Sequence, residues 1–194
     1  AIMGMTTLAV AHMDDRERVA DCLQKIKVSS KHLLSLINDI LDMSKIEQSQ
    51  ISLNRVNVSM PELLEQLSDI MVPQARLAGL QFSIRQERIE HQDFLGDSLR
   101  ISQILINLTG NAIKFTQKGG AVGVCVEEIA PQKDPQRIRY RFTVSDTGIG
   151  MTQEFLANIF APFARSRAVS RVEGTGLGLS ITKGLIDMMG GEIT

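Results

Sequence analysis

Apolar and polar positions alternate along this chain in two different rhythms, and the change falls near residue 49. From Arg16 to Gln48 there is no Gly or Pro, and Val19, Leu23, Ile26, Ser30, Leu33, Ile37, Ile40 and Ser44 follow at steps of four and three. That spacing marks one face of a long helix, a coiled-coil or bundle seam with two polar breaks at the serines. Leu34 and Leu41 widen the stripe beyond a narrow zipper, which favours a bundle. Residues 1–12 read as a shorter helix and Met13-Asp14-Asp15 as the turn between the two. A helix of about 33 residues spans roughly 50 Å, and one of about 12 only ~18 Å. Much of the long seam therefore lacks an antiparallel partner. Two expectations follow: the chain starts inside its first helix, and the hairpin dimerises to bury its stripe.

Beyond residue 48 the rhythm shortens. Residues 49–58 read as a linking strand, alternating with a slip between Leu53 and Val56. Ser59 with Glu62 predicts a capping box, with Pro61 in the first turn. That helix should run over about 60–77, bend near Pro73 and stop at Gly79. Residues 80–88 can form a strand. Asp97 caps a second helix through Leu99, Ile101, Ile104, Leu105 and Leu108 to about Phe115. Lys118-Gly119-Gly120 is a turn, Val122, Val124 and Val126 alternate, and 131–135 is a loop. Ile138, Tyr140, Phe142 and Val144 then alternate with Arg137, Arg139, Arg141 and Thr143, predicting an antiparallel hairpin with one buried face. Helices are expected near 152–158 and 177–189, and residues 190–194 read as a turn and the start of a strand.

Composition narrows the function classes. The formal net charge of -1 supplies no basic surplus for gripping nucleic acid by its phosphates. No apolar run approaches the roughly 20 residues of a membrane span, and the N-terminal stretch lacks the basic region of a signal peptide. Cys22 and Cys125 form no CxxC pair and fit a reducing compartment as buried apolar groups. No His/Cys cluster points to zinc.

Three motifs carry candidate chemistry. Asn107, Asn111 and Lys114 are spaced i, i+4, i+7 and share a helix face, while Ile104, Leu105, Leu108 and Ile113 occupy another sector. Two carboxamides and an ammonium suit a hydrated magnesium polyphosphate; a solvated helix face is the alternative. Asp146-Thr-Gly148-Ile149-Gly150 follows the alternating strand. A carboxylate at a strand end can accept from an exocyclic amine such as adenine N6, with glycines letting backbone pass close; a turn with an Asx cap is the plainer reading. Gly174-Thr175-Gly176-Leu177-Gly178-Leu179 opens the last helix, where unpaired N–H groups attract phosphate. The stretch 163–173 before it carries Arg165, Arg167 and Arg171 and reads as a lid or as a solvated loop.

The order of these motifs resembles the ATP-binding core of the sensor histidine kinases of two-component signalling, within the gyrase, heat-shock-chaperone, histidine-kinase and MutL ATPase superfamily. Residues 107–116 resemble the N box, 146–151 the G1 box, Phe160-Ala-Pro-Phe163 the F box and 174–179 the G2 box. Ile40-Leu-Asp-Met-Ser-Lys-Ile-Glu47 resembles the end of the dimerisation and phosphotransfer helix. The resemblance implies an α+β fold, an α/β sandwich with helices on one face of a mixed sheet, preceded by a helical hairpin that forms a dimeric four-helix bundle. It divides the chain into a partial phosphotransfer hairpin at 1–48, a linker strand at 49–58 and a catalytic ATP-binding domain at 59–194. It implies that Asn111 binds Mg²⁺ with Asn107 assisting, that Lys114 contacts phosphate and that Phe115 walls the site. Asp146 would read adenine, with Gly148, Ile149 and Gly150 shaping the base pocket. Phe160 and Phe163 would anchor a lid bearing Arg171, and Gly174, Thr175, Gly176, Leu177, Gly178 and Leu179 would admit the phosphates of ATP.

One position separates relatives. Hydrolysing members of the superfamily carry a Glu four residues before the Mg²⁺-binding Asn, and here that place is Asn107. A neutral carboxamide is no general base, so ATP should be held for another nucleophile. In the family that nucleophile is a His, and the phosphoryl passes on to an Asp of a response-regulator receiver domain. The His-acid-x-Arg box expected upstream is missing, as though cut off before Ala1, and His12, His32 and His91 do not replace it. Ala164-Arg165 also departs from the family pattern after the F box. The alternatives are an inactive ATP-sensing or dimerisation module and an ATP hydrolase. The pattern is similar to the membrane-anchored and hybrid sensor kinases of bacteria. That implies a cytoplasmic location for this region, with no direct membrane contact, in a parent held in the inner membrane.

Overall fold

The computed structural model describes residues 1–48, 52–129, 137–164 and 174–194. They form two compact units, 1–50 and 51–194. The first is a hairpin of α1 (Ile2–Ala11) and α2 (Arg16–Glu47). Asp15 caps α2, its carboxylate accepting from the Arg18 N–H at 3.0 Å. With 10 residues against 32, α1 faces only the first part of α2. Cys22 is buried, whereas Leu23, Leu33, Ile37 and Ile40 stay 46–57% exposed. The seam is thus an open apolar stripe.

The second unit builds its core on one face of a sheet. It comprises β1 (Val56–Ser59), α3 (Met60–Ala78), β2 (Gln81–Glu87), β3 (Asp93–Gly96), α4 (Ser98–Phe115), β4 (Ala121–Ile129), β5 (Arg139–Asp146), α5 (Gln153–Leu156) and α6 (Gly178–Met188). β1 and β3 pair antiparallel as a small ribbon. β2 and β4 are parallel, joined by a crossover through α4, and β4 pairs antiparallel with β5. Val122, Val124 and Val126 point to one face and are buried under Leu63, Leu64, Leu67 and Met71 of α3 and Ile101, Leu105 and Ile113 of α4. Each such side chain contributes roughly 1.5–3 kcal/mol by leaving water. The opposite face carries Ser83, Arg85, Gly123, Cys125, Thr143 and Ser145, so the sheet is mixed and helix-covered on one side. Cys125 is therefore half-buried rather than buried, and both cysteines are free thiols.

Several local expectations change. Among the described residues of the linker, 52–55 are irregular and 56–58 are strand, continuing to Ser59 as β1; residues 49–51 fall outside the described residues. Ser59 is the N-cap of α3 but makes no side-chain cap bond. Its backbone pairs with Asp93 as the last residue of β1, and the Met60 N–H goes to Gln92 O at 2.7 Å. The ribbon satisfies this helix start in place of a capping box. Gly79 does end α3, in the left-handed conformation at φ 70°. On α4 the buried positions are Ile101, Ile104, Leu105, Thr109, Ala112 and Ile113, with Leu108 only partly covered. α5 is a single turn capped by Thr152, shorter than 152–158. Residues 191–194 lie in no strand. The loop at 131–135 falls outside the described residues.

A clasp fixes the turn between β2 and β3. Glu128 Oε2 accepts from the backbone N–H of both Glu90 and His91 at 2.8 Å, and its Oε1 pairs with His91 Nδ1 at 2.7 Å. Tyr140 Oη donates to His91 O, and its ring lies 5.0 Å from that of Phe94 on β3. The His91 backbone bond foremost, with the other bonds from His91 and Glu90, holds the Glu128 carboxyl below its ordinary value of 4.5 against the opposing effect of burial. A carboxyl depressed in this way stabilises the fold fully above its unfolded value, and the contribution fades as pH falls through the depressed one. Glu128→Gln is therefore expected to melt about 2–5 °C below the wild-type chain at pH 7, with the gap closing below about pH 4. Thermal melts across that range measure it; a gap constant down to pH 3 would show that ionisation is irrelevant to the clasp.

Candidate functional site

α4 carries the N-box face, and two other segments come to meet it. Asp97 starts this helix, accepting from Arg100 N at 3.1 Å, and Leu105 and Ile113 pin one side to the sheet. The i, i+4, i+7 face of Asn107, Asn111 and Lys114 is left outside the core, with Asn107 and Asn111 half-buried and Lys114 exposed. Lys114 Nζ lies 4.9 Å from the centroid of the half-buried Phe115 ring.

The turn after β5 approaches the C-terminal end of α4. Asp146 pairs with Val122 and so shares the helix-covered face of the sheet with Tyr140, Phe142 and Val144. Its Oδ1 accepts from Gly148 N at 2.8 Å, forming the Asx turn that the sequence also allowed. The turn is sewn down on both sides. Thr147 N donates to Ala121 O at 3.1 Å, Ala121 N to Thr147 Oγ1 at 2.9 Å, and Ile149 N to Phe115 O at 3.3 Å. A Cβ at Gly148 would stand 2.6 Å from Phe115 O and 2.7 Å from Asp146 Oδ1, so only glycine fits there. Ile149 is half exposed, and Gly150, at φ 68°, borders open space.

The start of α6 closes against the same helix. A Cβ at Gly174 would lie 2.7 Å from Lys114 Nζ, and one at Gly178 only 2.3 Å from Asn107 Oδ1. A Cβ at Gly176 would lie 2.9 Å from the backbone of Phe163, which has φ 62° and an exposed ring. Thr175 Oγ1 accepts from Leu177 N at 3.1 Å, Leu177 is buried, and Leu179 is half-buried. Phe160, at the start of the F box, is half-buried. The structure thus brings Asn107, Lys114, Phe115, Asp146, Gly148, Gly174 and Gly178 into one contiguous surface around α4. It leaves Gly150 at the edge. Arg171, with Arg165 and Arg167, falls outside the described residues.

The donor set has a definite chemistry. Asn107 Nδ2 donates to Thr182 Oγ1 at 2.7 Å, which holds one end of the amide, while its Oδ1 faces Gly178. With Asn111 this offers carboxamide oxygens, hard ligands that suit a hydrated Mg²⁺, beside one ammonium and the N-terminal N–H groups of α6. The residues present fit a magnesium polyphosphate. Thr182 was not among the sequence candidates, since a β-branched residue inside an apolar helix gives no local signal. Among the described residues, no helix is long and apolar enough to cross a membrane.

Comparison with known proteins gives a consistent set of similarities. Residues 96–194 match the family model described as histidine kinase-, DNA gyrase B-, and HSP90-like ATPase, and residues 1–49 match the His Kinase A (phospho-acceptor) domain. The chain is 37% identical to the sensory/regulatory protein RpfC of Xanthomonas campestris pv. campestris, over 99% of this chain and 26% of that protein. It is 36% identical to the virulence sensor protein BvgS of Bordetella pertussis, over all of this chain and 16% of that protein. The sensor histidine kinase GacS of Pseudomonas protegens is 37% identical over 99% of this chain and 21% of its own length. The chain therefore spans about a quarter or less of these relatives. Among solved structures, full-length ShkA in complex with AMPPNP superposes with a TM-score of 0.73 at 33% identity, covering 91% of this chain and 35% of that one. Histidine kinase ThkA in complex with the response regulator protein TrrA gives 0.70 at 25% identity, covering 98% and 50%.

Proposed function

The chain belongs to the histidine kinase-, DNA gyrase B- and HSP90-like ATPase family, and from that premise we propose that it is the catalytic part of a sensor histidine kinase. It binds Mg–ATP and directs the γ-phosphoryl to a histidine, from which it passes to an aspartate on a response-regulator receiver domain. The observation that carries this reading is the convergence on α4: Lys114 Nζ against Gly174, Asn107 against Gly178 and Phe115 O against Gly148.

Each residue has a task in that reading. Asp146 accepts a hydrogen bond from the N6 amine of adenine while its Oδ1 also steadies the Gly148 N–H. The bare backbone at Gly148 lets the base lie close to Phe115. Lys114 and the N-terminal N–H groups of α6 meet the phosphates. Asn111 and Asn107 would hold Mg²⁺ through their carboxamide oxygens; when bound, the ion neutralises charge that develops during in-line transfer. An imidazole nitrogen then forms the N–P bond as the bond between γ-phosphorus and the bridging oxygen breaks, and ADP leaves. Asn107 cannot take a proton from water, so hydrolysis does not compete. The apolar stripe of α2, with Leu23, Leu33, Ile37 and Ile40 half exposed, becomes the core of a homodimeric four-helix bundle when a second copy covers it. This region works in the cytoplasm, where ATP is supplied, within a parent anchored in the bacterial inner membrane.

Calorimetric titration of the 194-residue chain with AMPPNP and Mg²⁺ tests the reading. Saturable binding is expected, with no steady-state phosphate release from ATP. No γ-³²P label should collect on the chain, because none of its three histidines, His12, His32 and His91, stands in the His-acid-x-Arg box that carries the phospho-acceptor in the family. Absence of nucleotide binding would sink the proposal, and sustained phosphate release would turn it into an ATP hydrolase.

A further inference from the structure

We propose that Thr182 is a positioning residue for the metal–triphosphate site: its buried hydroxyl holds the Asn107 carboxamide in place against the N-terminus of α6. A carboxamide on a rotatable side chain serves a metal–phosphate group best when its position is fixed beforehand, and a buried hydrogen bond fixes it. Asn107 projects from α4 toward α6, and Nδ2 finds Thr182 Oγ1 at 2.7 Å, 75 residues further along the chain. Thr182 is 1% exposed, so no water competes for that hydroxyl. Oδ1 is left facing Gly178, close enough that a Cβ there would stand 2.3 Å away.

The geometry joins three features into one device. α4 supplies the amide and α6 the hydroxyl. The missing side chain at Gly178 is the gap into which the oxygen fits. Substituting the hydroxyl leaves the inner end of the amide without its partner and the side chain free to move. The same bond ties α4 to α6 and so sets the N box against the first turn of the G2 helix.

The inference rests on the Mg–ATP reading above, and the test separates the two. AMPPNP is titrated into the full chain with Mg²⁺ and again in EDTA, for wild type, Thr182→Val and Thr182→Ser. Wild type should bind more tightly with Mg²⁺. Thr182→Val keeps the shape and loses the hydroxyl, and should lose roughly tenfold of the Mg²⁺-dependent affinity while its affinity in EDTA is unchanged. Thr182→Ser keeps the hydroxyl and loses a methyl group, and should retain the Mg²⁺ gain. A packing role predicts the reverse order, with serine the worse variant. Valine with the full Mg²⁺ gain, valine equally weakened in both media, or serine worse than valine would each overturn the inference. A wild-type chain that binds no nucleotide would overturn the site reading itself.

Discussion

Replacing Asp146 by alanine is expected to weaken binding of Mg–AMPPNP about 100-fold with little change in melting temperature. A carboxylate is acceptor-only, and a hydrogen bond to a charged group contributes about 1.5–3 kcal/mol, which spans roughly 10- to 150-fold in affinity. The upper part of that range applies because Asp146 does two things. It stands on the helix-covered face at the end of β5, opposite Val122, where it can accept a hydrogen bond from adenine N6. It also accepts from Gly148 N at 2.8 Å, so its loss loosens the turn that would seat the base. The fold should survive, because Asp146 is exposed and the neighbouring bonds of Thr147 to Ala121 do not involve it. Asp146→Asn should fall between, since the amide still offers one oxygen. Guanine nucleotide should bind wild type poorly, because its O6 is an acceptor that would face the carboxylate. Calorimetric titration of the three proteins with adenine and guanine analogues measures this. Wild-type affinity in Asp146→Ala would remove the adenine assignment.

Gly148→Ala should be the more damaging change, because it costs both binding and stability. Its Cβ would stand 2.6 Å from Phe115 O and 2.7 Å from Asp146 Oδ1. The first of these is backbone at the C-terminal end of α4, which cannot swing aside as the tip of a long side chain can. The turn must move, and the bonds from Gly148 N to Asp146 and from Ile149 N to Phe115 O go with it. Overpacking of this kind typically costs about 1–3 kcal/mol, or roughly 2–12 °C in a chain of this size. Nucleotide binding should fall below detection. Gly150→Ala is the control within the same motif. That residue has φ 68° with open space around it, so alanine there pays only about 1–2 kcal/mol for the left-handed backbone. Its binding should be largely retained. Equal loss in the two variants would mean that the close approach at Gly148 is not what the site depends on.

The periodic elements were legible because their signals are local. The four-three stripe locates α2, and the alternation of Tyr140, Phe142 and Val144 locates β5. Asp15, Gly79 and Asp97 mark helix ends through caps that need only nearby backbone. Where a segment depends on a distant partner, the reading fails. β3 is four residues, Asp-Phe-Leu-Gly, too few to carry a period, and it exists because β1 pairs with it. Ser59 looks like half of a capping box, yet pairing with Asp93 and the bond from Met60 N to Gln92 O satisfy that helix start instead. Residues 191–194 have the composition of a strand but pair with no strand among the described residues.

The candidate site divides in the same way. Which residues are candidates for its chemistry is legible in the chain, since Asn107, Asn111, Lys114, Asp146 and the glycines at 148 and 174–178 stand in motifs whose internal spacing sets their local geometry. That these motifs meet around α4 and that Asn107 bonds Thr182 were decided only by α4 packing against the sheet on one side and α6 on the other. Short-range backbone preferences act over a few residues and so are written in the sequence. A hydrogen bond spanning 75 residues exists only once the cores of both helices are buried, and burial is a property of the assembled fold.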